Sequence, residues 1–201
     1  MSPRRSSGEL ETAWTVDAAG WLNAARRQVS PHCDERPAGV PIELAVIHNI
    51  SLPPGEFGGG HVQELFDARL DPQAHPYFAE IAHLRVSAHF LIERGGQLTQ
   101  FVPCAARAWH AGVSCFEGRQ RCNDFSIGIE LEGSDDCEFE AAQYLVLEQV
   151  LRSLAAHYPL RAIAGHSDIA PGRKTDPGAC FDWRRLREAL SDQPQLGFPY
   201  L

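Results

Sequence analysis

With 201 residues, 44% of them hydrophobic and 22% charged, the chain has enough material for one domain with a real core. A formal net charge of −8 argues against a general nucleic-acid binder, which needs a basic face. No apolar run approaches a membrane span, and "MSPRRSSGELETAW" carries no apolar secretion stretch, so no membrane partner and a cytoplasmic location are expected.

The first 40 residues show little periodicity and end in the turn-rich "SPHCDERPAGVP". They read as an N-terminal arm (1–40) packed on the main domain (41–190), with one short strand around 20–22. Residues 191–201 read as a C-terminal tail. "ELAVIHNI" (43–50) is a short apolar run suited to a buried strand. "SLPPGEFGGG" is a loop, "HVQELF" a short helix, and 71–82 a loop with a second helix. "VSAHFLIERGGQLTQFV" (86–102) is a hairpin about Gly95 and Gly96. "FSIGIELEG" (125–133) is a further strand. Residues 138–158 form the one long amphipathic helix, stopped by Pro159, with Phe139, Ala142, Val146, Val150 and Leu154 as its apolar stripe. "RAIAGHS" is a strand that runs into "GHSDIAPGRKTDPG" (165–178), where Pro and Gly argue against helix interior and central strand. "DWRRLREAL" (182–190) is the last helix, with Asp182 as its N-cap. Strands interleaved with helices, plus one hairpin, predict a single α/β domain with a central mixed β-sheet flanked by helices.

Six cysteines are scattered with no CxxC pair, and in a chain of this length they read as free thiols. Cys115 and Cys122, seven apart in a polar loop, leave one disulfide open.

Two histidines share a context: His48 and His166 each end a strand before a loop, where ligand sites of mixed sheets collect. Asp176 follows on the rigid loop. Two histidines and a carboxylate are the ligand set of an open catalytic zinc site, although no H-E-x-x-H helix is present. With nine histidines in the chain, the pattern alone leaves ordinary packed or surface roles open. His89, within a hairpin strand, reads as structural; His110, beside Trp109, reads as either packed or substrate-facing. Glu130 and Glu132 alternate onto one strand face, which is either solvated or supplies a general base beside a metal. Lys174 is either a surface charge or an oxyanion stabiliser.

"VIHNISLP", "FGGGHVQELF", "RVSAHFLIERGGQLTQFVP", "AWHAG", "CNDFSIGIELEG" and "GHSDIAPGRKTDPG" occur in that order and resemble the AmpD-type N-acetylmuramoyl-L-alanine amidases. These are zinc enzymes of peptidoglycan recycling, within a superfamily that includes T7-type lysozyme amidases and peptidoglycan-recognition proteins. The resemblance spans about residues 20 to 190. It implies His48, His166 and Asp176 as ligands of one Zn2+ per chain, Glu130 as the catalytic base and Lys174 as transition-state stabiliser. It places Asn49, Arg85, Trp109 and Arg121 near the sugar or peptide. The implied substrate is a small soluble 1,6-anhydro-muropeptide, cleaved between muramic acid and L-Ala; a monomer is expected. The alternative is a muropeptide-binding recognition domain without catalysis, which would be expected to lack a ligand residue. A serine hydrolase is disfavoured by the absence of a G-x-S-x-G elbow.

Overall fold

Short β-rich runs build the sheet, and their pairing decides where the chemistry falls. The computed structural model describes residues 13–200. Ten strands occur among them: β1 (Arg26–Arg27), β2 (Cys33–Glu35), β3 (Leu44–Ile50), β4 (Phe90–Ile92), β5 (Leu98–Gln100), β6 (Ala106–Ala108), β7 (Cys115–Phe116), β8 (Arg119–Gln120), β9 (Ser126–Glu132) and β10 (Ala162–Gly165). The helices are α1 (His61–Phe66), α2 (Pro76–Ile81), α3 (Ala141–His157), α4 (His166–Ile169) and α5 (Trp183–Ala189). The main sheet has the order β1-β5-β4-β9-β3-β10. β4, β9, β3 and β10 run parallel, while β5 is antiparallel to β4, so this is an α/β domain with a mixed sheet. β2 pairs with β6 and β7 with β8 in two small ribbons.

The central strands β3 and β9 alternate side chains between two covered faces. One face carries Ala45, Ile47, Ile127 and Ile129 against Leu147, Val150, Leu151 and Leu154 of α3 and Leu186 of α5. On the other face two apolar clusters stand apart. One gathers Leu91 with α1 and Phe101; the second gathers Leu44, Val46, Phe116 and Phe125. His48 of β3 and Ser126, Glu130 and Glu132 of β9 alternate onto this second face.

Four local expectations are corrected. The arm's sheet strand is β1, paired with β5, whereas 20–22 contributes one isolated bridge between Val16 and Leu22. The hairpin ladder is confined to β4 and β5 with one flanking bond from the Phe101 N–H to the His89 carbonyl, and 86–88 leaves it. The buried apolar stripe of α3 is Tyr144, Leu147, Val150, Leu151 and Leu154; Val146 is half-buried and packs against the same core, while Ala142 sits by the hairpin turn at Gly96. Lastly, "GHSDIAPGRKTDPG" is not irregular throughout. His166 opens the one-turn helix α4, which forms because the Asp168 carboxylate accepts the Gly165 N–H at 2.7 Å. Asp182 caps α5 as expected, accepting from the Arg185 N–H at 2.9 Å. All six cysteines are free thiols, which settles the open Cys115–Cys122 pairing.

Candidate active site

Strand register brings the site together. His48 of β3 is paired with Glu130 of β9, and Gly165 of β10 is paired with Ile47. The residue after Gly165 therefore emerges beside His48 at the carboxyl ends of parallel strands, where crevices form. The 166–176 loop then folds back on itself. The Ser167 N–H donates to the Asp176 carbonyl at 2.8 Å, and Asn49 of β3 donates from Nδ2 to the Pro177 carbonyl at 3.0 Å.

The result is a triangle of donor atoms. His48 Nδ1 lies 3.0 Å from His166 Nδ1 and 2.9 Å from Asp176 Oδ2, and His166 Nδ1 lies 3.0 Å from the same oxygen. These three residues are the one group among the described residues placed to hold a metal. Zinc bonds of about 2.0–2.1 Å put tetrahedral ligands about 3.3 Å apart, close to this spacing. The donor chemistry fits as well. Two imidazole nitrogens and a carboxylate oxygen crowd one point, and His166 Nε2 already faces the Ala111 carbonyl at 3.1 Å. A carbonyl only accepts, so His166 carries its proton on Nε2 and offers a lone pair from Nδ1.

Electrostatics favour ligation. Burial is the main cause that lowers His48 to about 4, so its ring is neutral at pH 7. Burial pushes the Asp176 carboxyl up, but hydrogen bonds to His166 and His48 outweigh this and hold it well below the usual carboxylate range. Glu130 is raised well above its ordinary value by burial first and by Asp176 second, with Lys174 pulling the other way. Its Oε1 lies 4.0 Å from His48 Nδ1, and its buried Oε2 has no hydrogen-bond partner. An orphaned carboxylate oxygen beside three converging donors fits a base that meets its partner only when metal and substrate are present.

These groups line an open cleft of about 380 Å³, together with Asn49, Trp109 and Lys174. Trp109 is held from behind by the arm: its Nε1 donates to Asp34 at 3.0 Å, and its ring stacks on His32. Glu132 does not reach the centre. It accepts the Gly58 and Arg94 N–H groups and ties down the 51–60 loop. Arg85 is exposed and does not line the cleft, although its neighbours Leu84 and Val86 do. Arg121 pairs with Asp124 at 3.2 Å and lines an adjoining groove of about 550 Å³ instead. His89 is fully buried and accepts the Gly128 N–H at 3.0 Å, the structural role expected of it. His110 meets both expectations: it is half-buried and lines the cleft, and its Nδ1 lies 3.0 Å from His48 Nε2, a contact that the sequence did not single out.

The family described as N-acetylmuramoyl-L-alanine amidase matches residues 38–179, which contain His48, Glu130, His166, Lys174 and Asp176. The chain belongs to this amidase family. The amidase is 59% identical over 176 residues to the 1,6-anhydro-N-acetylmuramyl-L-alanine amidase AmpD of Escherichia coli strain K12, covering 87% of this chain and 96% of that one. A solved structure of an AmpD selenomethionine derivative matches with a TM-score of 0.83 at 58% identity, covering 87% of this amidase and 98% of that chain. The E. coli amidase AmiD, solved with anhydro-N-acetylmuramic acid-L-Ala-D-γ-Glu-L-Lys, matches with a TM-score of 0.56 at 30% identity, over 87% of this chain and 65% of that one. No helix among the described residues is long and apolar enough to cross a membrane.

Proposed function

We propose that this amidase hydrolyses the amide between the lactyl carboxyl of an anhydro-N-acetylmuramic acid and the nitrogen of L-Ala in small soluble muropeptides, with zinc held by His48, His166 and Asp176. The observation that carries the reading is the convergence of those three donor atoms beside the unpartnered Glu130 oxygen at the floor of an open cleft. When bound, zinc supplies a Lewis acid that brings the pKa of a water from about 15.7 toward about 7 and polarises the scissile carbonyl.

The chain's own groups do the rest. Glu130 takes the proton of the attacking water on Oε2 and returns it to the L-Ala nitrogen as the C–N bond breaks, so no proton is gained or lost in the cycle. Its burial keeps bulk water from competing for that oxygen. Lys174, on the cleft wall, offers an ammonium to the carbonyl oxygen as it turns negative. Trp109 presents an aromatic face to the sugar, and Asn49 a side-chain carbonyl to the substrate. Arg85 and Arg121 line no part of the cleft, and Arg121 is paired with Asp124, so the reading does not rest on them. Six free thiols support the reducing cytoplasm as the place of action.

The test compares turnover of a purified soluble anhydro-muropeptide with that of polymeric sacculi, before and after chelation and zinc return. The expected result is preference for the soluble substrate, loss on chelation and recovery with zinc. Preference for sacculi, or full turnover without metal, would overturn the reading.

A further inference from the structure

We propose that the dipeptide 110–111 is a positioning element that fixes the proton of both histidine ligands, with His110 as its working side chain. This rests on the reading that His48, His166 and Asp176 hold zinc.

The two ligands turn their remote nitrogens to adjacent residues. His166 Nε2 meets the Ala111 carbonyl at 3.1 Å, and His48 Nε2 meets His110 Nδ1 at 3.0 Å. Once His48 Nδ1 is committed to a metal, the only proton of the neutral ring sits on Nε2 and needs an acceptor. His110 Nδ1 is that acceptor. His110 then carries its own proton on Nε2, which points at Ser126 Oγ at 3.1 Å. The direction of the chain is thereby set: His48 donates to His110, and His110 donates to Ser126.

The surroundings are built for this ring. The Asn123 side-chain oxygen accepts both backbone amides of the dipeptide, from His110 at 3.2 Å and Ala111 at 2.8 Å. The Arg173 guanidinium donates to the Ala111 carbonyl at 2.7 Å and holds the second acceptor in place from the ligand loop. Beneath the imidazole lies Gly128 of β9, where any Cβ would come within 2.4 Å of His110 Cγ. An isolated glycine within a buried strand is explained by this close approach. β9 thus spends Ser126, Gly128 and Glu130, alternating on one face, on the His110 anchor, its clearance and the base.

The experiment measures zinc dissociation constants by chelator competition for the wild type, His110→Phe, His110→Asn and His110→Ala, with metal-free thermal unfolding of each. Phe keeps the ring's bulk and deletes both nitrogens. Asn shrinks the side chain but keeps an acceptor at the position of Nδ1. We expect Phe to weaken zinc roughly 10–100-fold, and Asn to bind more tightly than Phe. Gly128→Ala, which leaves His110 intact but displaces it, should weaken zinc in the same direction. A role in packing alone predicts the reverse order, with Phe tolerated and Asn not. Phe binding zinc as tightly as the wild type, or Asn binding no better than Phe, would overturn the proposal. If the Phe chain does not fold, Asn against Ala decides it, and equal affinity of that pair overturns it. A wild type that takes up no zinc would overturn the metal reading as well, and that result is distinct from the other failures.

Discussion

In the proposed mechanism Glu130 and Lys174 act at the same reacting amide but leave different signatures. Glu130→Gln keeps the shape of the side chain and removes the base, so zinc should stay bound while the rate falls by about 10²–10⁴. Wild-type rate in that variant would make Glu130 structural. Lys174→Met keeps the stem and deletes a charge that meets its partner only in the transition state. It should lower kcat by about 10²–10³ with little change in KM and with normal zinc content. Measuring kcat and bound zinc on one sample checks both variants, and near-normal kcat in the Met variant returns Lys174 to a surface charge. At this scale two strand-end histidines and a loop carboxylate offered a metal set, but spacing alone left ordinary roles open, and it was the family resemblance that singled out His48, His166 and Asp176. His110 was not singled out, because its meaning lies in a contact with His48 across 62 positions, and neither Ser126 nor Gly128 names its partner.

Among the elements, the arm is tied to the domain by one buried cation. Arg36 donates to the carbonyls of Cys104 at 3.0 Å, Asn123 at 3.0 Å, Asp124 at 3.2 Å and Ser126 at 2.8 Å, and meets His89 Nε2 at 3.0 Å. No carboxylate pairs with it there, and burial lowers its pKa to about 10, which leaves it charged at pH 7. Two of those carbonyls flank the segment whose side chain, Asn123, holds the site dipeptide. Arg36→Met fills the space and leaves four carbonyls without their donor. It should cost about 3 kcal/mol or more in urea unfolding; a loss below about 1 kcal/mol would show that water replaces the guanidinium. The arm's sequence gave no periodic signal for this, since one arginine reaching irregular backbone follows no repeat. The helix α3, in contrast, was legible in extent. Its facing was legible too at Val150 and Leu154 and, half-buried, at Val146; Ala142 keeps the helical spacing but sits by a turn at the sheet's edge.

For the whole molecule, the buried histidines link stability to acidity. In the folded chain, burial first of all lowers His48 to about 4 and holds His89 and His110 well below 6.5. Unfolded histidines take up protons near 6.5, so below that pH the unfolded state binds more protons and stability falls with pH. For His48 the loss runs from about 6.5 down to about 4. Each histidine contributes up to about 1.4 kcal/mol per pH unit within its window. Glu130 acts in the opposite sense, because its raised folded value stabilises the acid side of its own window. Burial raises Glu93 and Asp168 as well, but these are far less buried than Glu130, so the three histidines are expected to prevail and the metal-free chain to unfold at lower urea at pH 5 than at pH 7.5. Equal midpoints would contradict it.

Hydrolysis of the lactyl–L-Ala amide puts the oxygen of water on one side of one bond, so isotope placement distinguishes it from cleavage elsewhere. A soluble anhydro-muropeptide is digested by the zinc-loaded protein in ¹⁸O-water, and the products are read by mass spectrometry. The account predicts one ¹⁸O in the lactyl carboxylate of the muramic acid and a free peptide with an unlabelled L-Ala amine at its start. Cleavage at any other bond, label confined to the peptide, or an intact substrate would contradict it.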